Sequence, residues 1–523
     1  GQLMTTQPFS QPSTRDSFFS SLFTQWRDFW RHAGCALPRG KWLAGLLLVM
    51  LAAALARVTA VFMQPMTHDE SYTFIAFASQ SLPNLLSDYH LPNNHILNSV
   101  LIHFSTGMFG NGPLAVRLPA VLAGLLTVAA VYLLARAQYG DGPALLAASI
   151  TAFLQAQIEI SILARGYSLL GLLVLLEMLL AIYLRRHQNF WGWLFFAMLG
   201  AAGFFTVPIM LYPIGVIGLW LALCAVFNQI GAGYKDRWRF LAWLAGTALL
   251  TGVITAILYL PAVLGTGLDA LIHNPFVAPL STEEFLSLLP NRIREIWHIW
   301  QEGIGLSIWL LVAGFLLSIF FAHRTITGKI PPQTGLLWIP LVVAVQHPNP
   351  WPKIFMYLLP MLIIWGVGGW FELARRRFNR KMLNIASANL AAAILTAVVI
   401  TLSVARDLPQ ALELPPVPGE VEQATEAIVE LYQPGDALLG ASPNDAPLWV
   451  YAYMRDIPKS AFSHLEDRTI QRAFVMVNPA EGQTIETILH ERNLDPGNFN
   501  LDTAESIFDI GTTQVFLITG VNP

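Results

Sequence analysis

"VFMQPMTHDESYTFIAFASQSLPNLLSDYHLPNNHILNSV", residues 61–100, closes the first long apolar run of the chain and then turns polar. Asp69 and Glu70 stand side by side, His68 precedes them, and a second polar knot follows at Pro92-Asn93-Asn94-His95. Thr67 before the pair fits a helix N-cap, with both acids in the first turn. A charge at the edge of an apolar segment is costly in a membrane and points to function. What surrounds the segment decides between these readings.

The chain has 523 residues, 54% hydrophobic and 12% charged, with mean hydropathy +0.53. A soluble domain carries about twice that charge. Apolar runs fall at 43–63, 114–135, 143–158, 166–184, 190–206, 209–228, 240–260, 304–322, 335–346, 354–372 and 383–404, most near bilayer-crossing length and those at 143–158 and 335–346 short of it. They predict an α-helical polytopic membrane protein with about eleven transmembrane helices. The two cysteines, Cys35 and Cys224, offer no disulfide framework.

Charge divides the chain. Residues 406–523 hold 18 of the 33 acids and 6 of the 30 bases, a net of −12, which leaves +9 for residues 1–405. The tail is therefore expected to be a soluble acidic domain. "IVELYQPGDALLGAS" predicts helix, turn and strand; "RAFVMVNP" a strand; "TIETILHERN" a helix; "AESIFDIGTTQVFLITG" two strands about a Gly turn. Together they predict a C-terminal α/β domain over 406–523. Residues 43–405 form the membrane domain, with loops at 64–113 and 261–302. Residues 1–42 form an N-terminal segment unlike a signal peptide. In it Phe19, Leu22, Phe23, Trp26 and Trp30 share a helical face, as an interfacial helix would place them.

Orientation follows from the bases. Arg15, Arg27, Arg31, Arg39, Lys41, Arg136, Arg185, Arg186, Lys235, Arg237, Arg239, Arg324, Lys329, Arg375, Arg376, Arg377, Arg380 and Lys381 collect on one side, 18 of the 24 bases outside the tail. The positive-inside rule makes that side cytoplasmic. The pattern requires that "HILNSVLIHFSTGMFG" does not cross. The N-terminus is then cytoplasmic, and the acid pair and the C-terminal domain lie outside a plasma membrane. Long loops in compact regions are often functional. The 261–302 loop, with Pro275, Pro279 and Pro290 breaking it and an amphipathic "NRIREIWHIWQEG", reads as a lid or as a helix at headgroup level. Arg57, Arg117, Arg165, Arg292, Arg294 and Lys353 remain on the outer side, where arginines suit a phosphate.

The acid pair after span one, then "GPLAVRLPAVLAGLLTVAAVYLLAR", "ARGYSLL" and "PKIFMYLLPMLII", resemble the family 39 group of GT-C glycosyltransferases, over about residues 43–372. That group includes protein O-mannosyltransferases and lipid A aminoarabinose transferases. The resemblance implies a membrane enzyme that moves a sugar from a polyprenyl-phosphate donor to a lipid, glycan or protein acceptor on the outer face. It matches Asp69 to the catalytic base and leaves Glu70 to orient its surroundings. Glu159 matches a second acid, and Arg165 and Tyr167 match an Arg-x-Tyr. Lys353 stands where relatives carry an Arg, and Asn94 where the aminoarabinose transferases carry a lysine, with His95 as its substitute. Arg165 and Lys353 are the first candidates for the donor phosphate, with Arg57 and Arg117 next. His68, His90, His95 and His103 match no strong metal pattern; a divalent cation is the one cofactor they admit. Glu177, mid-span, must face other helices or a cavity. A transporter or flippase of a lipid-linked sugar, or a membrane scaffold, are the rival classes; no inverted repeat supports the first. Nothing points to nucleic acid.

Overall fold

The computed structural model describes residues 14–272, 279–304, 307–322, 329–348, 352–377, 385–412, 418–465 and 469–521. Each apolar run expected to span coincides with helix. Among the described residues six helices are long and apolar enough to cross a membrane: Lys41–Met63, Pro113–Tyr139, Tyr167–Leu184, Pro208–Val226, Arg237–Gly265 and Leu358–Arg376. Phe190–Thr206, Ile308–Phe320, Pro332–Gln346 and Ser387–Val399 are apolar but shorter.

The run at 143–158 departs from the expected single span. It forms two helices, Asp141–Phe153 and Gln155–Ile162, bent by 60°. Leu154 is extended: its N–H bonds Ile150 O at 2.9 Å to close one helix, and its carbonyl accepts Ile158 N–H at 3.1 Å to open the next. Neither Pro nor Gly marks the break, so hydropathy reads straight through it. Pro290, expected to break the 261–302 loop, lies inside one helix, Thr282–Ile304. A proline removes one backbone bond and bends a helix without having to end it. Pro275 lies outside the described residues. The Ile385–Leu412 helix runs past the expected domain boundary at 405.

The Ile96–Phe109 helix has 14 residues. At 1.5 Å per residue it covers about 21 Å, short of the roughly 30 Å of a hydrocarbon core. Ser105 Oγ ties it to Ala115 O at 2.7 Å. The first helix, Thr14–Ala36, docks on the bundle: Trp191 Nε1 donates to Leu22 O at 3.0 Å, and Phe29 is buried beside Tyr183 and Phe195. Phe19, Phe23 and Trp30 stay exposed, whereas Trp26, expected on the same free face, packs on Trp191.

Successive helices bring distant loops to one end of the bundle. The Lys41–Met63 helix ends at Gln64, which is extended before Pro65 as a pre-proline residue should be. The Pro113–Tyr139 helix begins there, since Arg117 reaches Val61 O, and it returns to the other end, where Arg136 reaches Ala36 O. The Arg237–Gly265 helix climbs back to residue 87, where Thr266 Oγ1 donates to Ser87 O at 2.8 Å.

The C-terminal domain has a four-stranded sheet, β1 (Ala437–Gly440), β2 (Arg472–Val477), β3 (Glu505–Ile510) and β4 (Thr513–Thr519), in the order β1-β2-β4-β3. β1 and β2 are parallel; β4 is antiparallel to β2 and β3, and Gly511 turns the β3–β4 hairpin at φ 61°. The elements expected in this tail are all present. Side chains alternate between the two sheet faces. Leu439, Val475 and Ile518 face the Ile485–Glu491 helix. Leu438, Phe474, Met476 and Val515 face helices Glu420–Leu431 and Asp445–Tyr453 in a core that also takes in Met66, Phe74, Ile75 and Ala78 from the loop after the first long helix. The sheet domain and the acid-bearing loop therefore share one apolar core.

Candidate functional site

Thr67 starts a short helix, His68–Tyr72, which runs into a π-helical turn, Thr73–Ala78. π-turns are rare and recur at functional sites. The helix sends its two acids in opposite directions. Glu70 turns inward, its side chain 1% exposed, and forms a two-pronged pair with Arg117: Nη2 to Oε1 at 2.6 Å and Nε to Oε2 at 3.0 Å. Thr67 N–H and Ala164 N–H fill the remaining carboxylate sites at 2.8 and 3.2 Å. Arg117 spends its other three N–H groups on Val61 O, Gln64 O and Pro65 O at 2.7, 2.8 and 2.9 Å. A guanidinium has five donors and a carboxylate about four acceptor sites, so both groups are saturated. Arg117, expected to hold substrate phosphate, has no donor left for one; it binds the loop backbone to the bundle.

Asp69 turns outward, 55% exposed. Its Oδ2 lies 3.8 Å from Arg165 Nη1 and its Oδ1 3.8 Å from His68 Nδ1. Both separations exceed hydrogen-bonding distance. Arg165 is buried; Nη1 donates to Asn93 Oδ1, the ring of Tyr167 lies 5.8 Å from its guanidinium, and Nε has no hydrogen-bond partner among the described residues. Asn93 also places Nδ2 3.4 Å from Asp69 O. His95 is buried behind them, its Nδ1 accepting from Gly166 N–H at 2.8 Å and its ring edge-on to Tyr167. Burial, and then the Arg165 charge, hold its pKa well below the usual imidazole value.

The structure thus brings together Asp69, His68, Arg165, Tyr167 and His95, and adds Asn93. Asn94, the residue matched by position, points away: its Nδ2 donates to Leu85 O and Asp88 O at 3.1 and 2.8 Å. Two adjacent asparagines are indistinguishable by type, and only the turn decides which one faces Arg165. Glu159 is also apart, exposed on the Gln155–Ile162 helix and bonded to Gln155 at 3.0 Å. Arg57 is fully buried in the first long helix. Its Nη1 donates to Ala152 O at 2.8 Å, a carbonyl freed by the break at Leu154, while Nε and Nη2 have no partner among the described residues. Lys353 belongs to the 3-10 turn Pro352–Phe355, and its side chain lies outside the described residues. Glu177 is fully buried, with no hydrogen-bond partner among the described residues for either oxygen. Among the described residues no three His, Cys, Asp or Glu side chains converge on a metal site: His90 pairs with Asp88, and His103 bonds Ala78 O.

Residues 95–259 match the family model "Dolichyl-phosphate-mannose-protein mannosyltransferase". No curated protein matches the chain. Among solved structures, ArnT from Cupriavidus metallidurans bound to undecaprenyl phosphate aligns with a TM-score of 0.58 at 16% identity, over 90% of this chain and 97% of that one. Its apo state aligns equally well, with a TM-score of 0.58 at 15% identity over 90% and 97% of the two chains. At these identities the likeness shows a shared fold over nine-tenths of the chain. The apo oligosaccharyltransferase of Archaeoglobus fulgidus is a looser likeness, at a TM-score of 0.49 and 13% identity over 84% of this chain and 69% of that one, and nothing below rests on it.

The chain also holds a candidate site residue that its sequence did not disclose. Asp445, from the C-terminal domain, accepts His68 Nε2 at 3.1 Å. It stands 376 residues from Asp69, in a domain read as separate, so no local pattern could have flagged it.

Proposed function

We propose that this membrane glycosyltransferase moves a sugar from a polyprenyl-phosphate donor to a lipid, glycan or protein acceptor, with Asp69 as the general base. The observation that carries the reading is the pairing of Asp69 with Arg165: an exposed carboxylate 3.8 Å from a buried guanidinium whose Nε has no hydrogen-bond partner among the described residues. A carboxylate so placed can take the proton of an attacking hydroxyl. A buried cation beside it can hold the charge that grows on a departing phosphate. Arg165 is the first candidate for the donor phosphate and Lys353 the second. Arg57 is third; it lies deeper, in the bundle.

The site also sits where two unlike substrates can meet. A polyprenyl donor lies in the bilayer with its phosphate at headgroup depth, while the acceptor hydroxyl arrives from water. The end of the first long helix borders both. The reading places this end outside the cell membrane, in line with Arg136, Arg185, Arg186, Arg237 and Arg239 at the opposite end. In this reading residues 43–405 are the catalytic domain and residues 406–523 an extracytoplasmic domain. The Thr282–Ile304 helix is placed to guide the acceptor.

The test is product analysis. Purified protein is incubated with a panel of polyprenyl-phosphate sugars and candidate acceptors, and products are identified by mass spectrometry. A covalent sugar–acceptor product that disappears in Asp69→Asn supports the reading. Movement of intact donor across vesicles with no product from any pairing refutes it and leaves a flippase.

A further inference from the structure

We propose that Asp445, in the C-terminal domain, is a positioning residue for the transfer and acts on the Asp69 carboxylate through His68. The inference rests on the proposed role of Asp69.

His68 lies between two acids. Its Nε2 is 3.1 Å from Asp445 Oδ1, and its Nδ1 faces Asp69 Oδ1 at 3.8 Å. Asp445 is itself fixed at both oxygens. Oδ1 also accepts Ala446 N–H at 2.8 Å, and Oδ2 accepts Arg492 Nη2 at 2.7 Å. Arg492 is anchored in turn, donating from Nε and Nη2 to Gly440 O at 2.8 and 2.6 Å, with its guanidinium 4.5 Å from the Trp449 ring. These groups gather where β1 ends and the Asp445–Tyr453 helix begins. In open α/β sheets the space beyond the carboxyl ends of parallel strands is where ligands bind. Here that space receives the acid-bearing loop of the bundle.

The loop is held there from both sides of His68. Met66 N–H donates to Tyr451 Oη at 2.8 Å, and Lys459 Nζ donates to Ser79 Oγ at 2.7 Å, Ser79 O at 3.2 Å and Ile75 O at 3.3 Å. The backbone carrying Asp69 is thus fixed to the C-terminal domain before and after the acid, and His68 crosses from it to Asp445.

The charged groups around His68 favour its protonated form. Asp69 is on its own helix and Asp445 on the facing one. Arg492, the one opposing cation here, is neutralised by Asp445. Tyr72 stacks at 6.2 Å, and beyond it Asp88 pairs with His90, whose Nε2 is 3.1 Å from Tyr72 Oη. The hydrogen bond to Asp445, and then the nearby Asp69 carboxylate, outweigh partial burial and raise the His68 pKa to about 9. As imidazolium it presents an N–H to Asp69 Oδ1 while Arg165 faces Oδ2. The two cations hold the carboxylate in one orientation, ready for the acceptor proton.

The experiment measures turnover against pH for full-length wild type, Asp445→Asn, His68→Gln and the double variant, with NMR titration of His68 alongside. Asp445→Asn should move the His68 midpoint from about 9 toward the free value near 6.5. It should lower kcat roughly tenfold at about pH 8, with recovery toward wild type at about pH 6 and little change in donor KM. In the His68→Gln background, Asp445→Asn should add nothing, because its effect passes through His68. An equal loss of kcat at every pH, additive with His68→Gln, would overturn the proposal and make Asp445 a structural tie. No product from wild type, with the His68 midpoint still shifted by Asp445→Asn, would overturn the transfer reading and with it this role.

Discussion

Two acid–arginine pairs stand side by side in this protein and differ in almost every physical respect. Glu70 and Arg117 are dry, in contact at 2.6 and 3.0 Å, and fully hydrogen-bonded. Asp69 and Arg165 are separated by 3.8 Å, and the carboxylate is half exposed. The first pair comes from adjacent helices that the chain must hold together. The second joins the same short helix to a different segment, the turn before Tyr167–Leu184, and its charges stand apart. A saturated pair can only hold the fold, because binding anything else would cost it a partner. An exposed carboxylate can meet a substrate. Adjacent residues of like chemistry thus stand one in the dry interior and one at the surface, and in the proposed function the dry pair keeps the catalytic one in place.

The largest effect expected from this contrast is on turnover. Asp69→Asn keeps the shape and removes the basicity, and should cut turnover by roughly 10²–10⁴-fold with thermal stability and donor binding little changed. Near-wild-type turnover with a defined donor and acceptor would move the base to another carboxylate. The converse variants act on the fold. Glu70→Gln or Arg117→Ala leaves a buried charge without its partner and should cost about 3–5 kcal/mol of stability, read as a large fall in the melting temperature. If Glu70→Gln leaves stability intact while turnover collapses, the two acids have exchanged roles.

A smaller effect is expected on donor binding. Arg165→Ala removes a charge-assisted contact of about 1.5–3 kcal/mol, so donor affinity should fall roughly ten- to a hundredfold. Unchanged binding by calorimetry would assign the phosphate to Lys353 or Arg57. The smallest effect is on pH and stability. The His68 pKa, at about 9, lies above the unfolded value near 6.5. Its stabilising contribution is therefore fully present below about 6.5 and lost as pH rises through about 9. Asp445 works at the other end. Burial opposes its ionised form, but the bonds to His68 and the charge of Arg492 prevail and hold its pKa below the ordinary carboxylate value. That contribution is lost as pH falls through this lowered pKa. His68→Gln should thus lower the melting temperature at about pH 6 and match wild type at about pH 10; a gap that persists at high pH would show that His68 holds the loop by packing alone.

Much of this was legible in the chain itself. The helices follow from apolar runs, since backbone in lipid must bond within its own segment. The sheet domain follows from its alternating strands and Gly turn, and the acid pair from two charges where an apolar run stops. Those are local properties, set by neighbours a few residues apart. Tertiary structure alone decided which acid is buried against Arg117 and which is exposed near Arg165, because that depends on which side of a short helix faces the bundle. It also decided that Asn93 and not Asn94 faces Arg165, that Arg57 caps a carbonyl freed by an unmarked break at Leu154, and that Asp445 reaches His68 across a domain boundary. Each depends on a direction or a contact between distant segments, which composition and period do not encode.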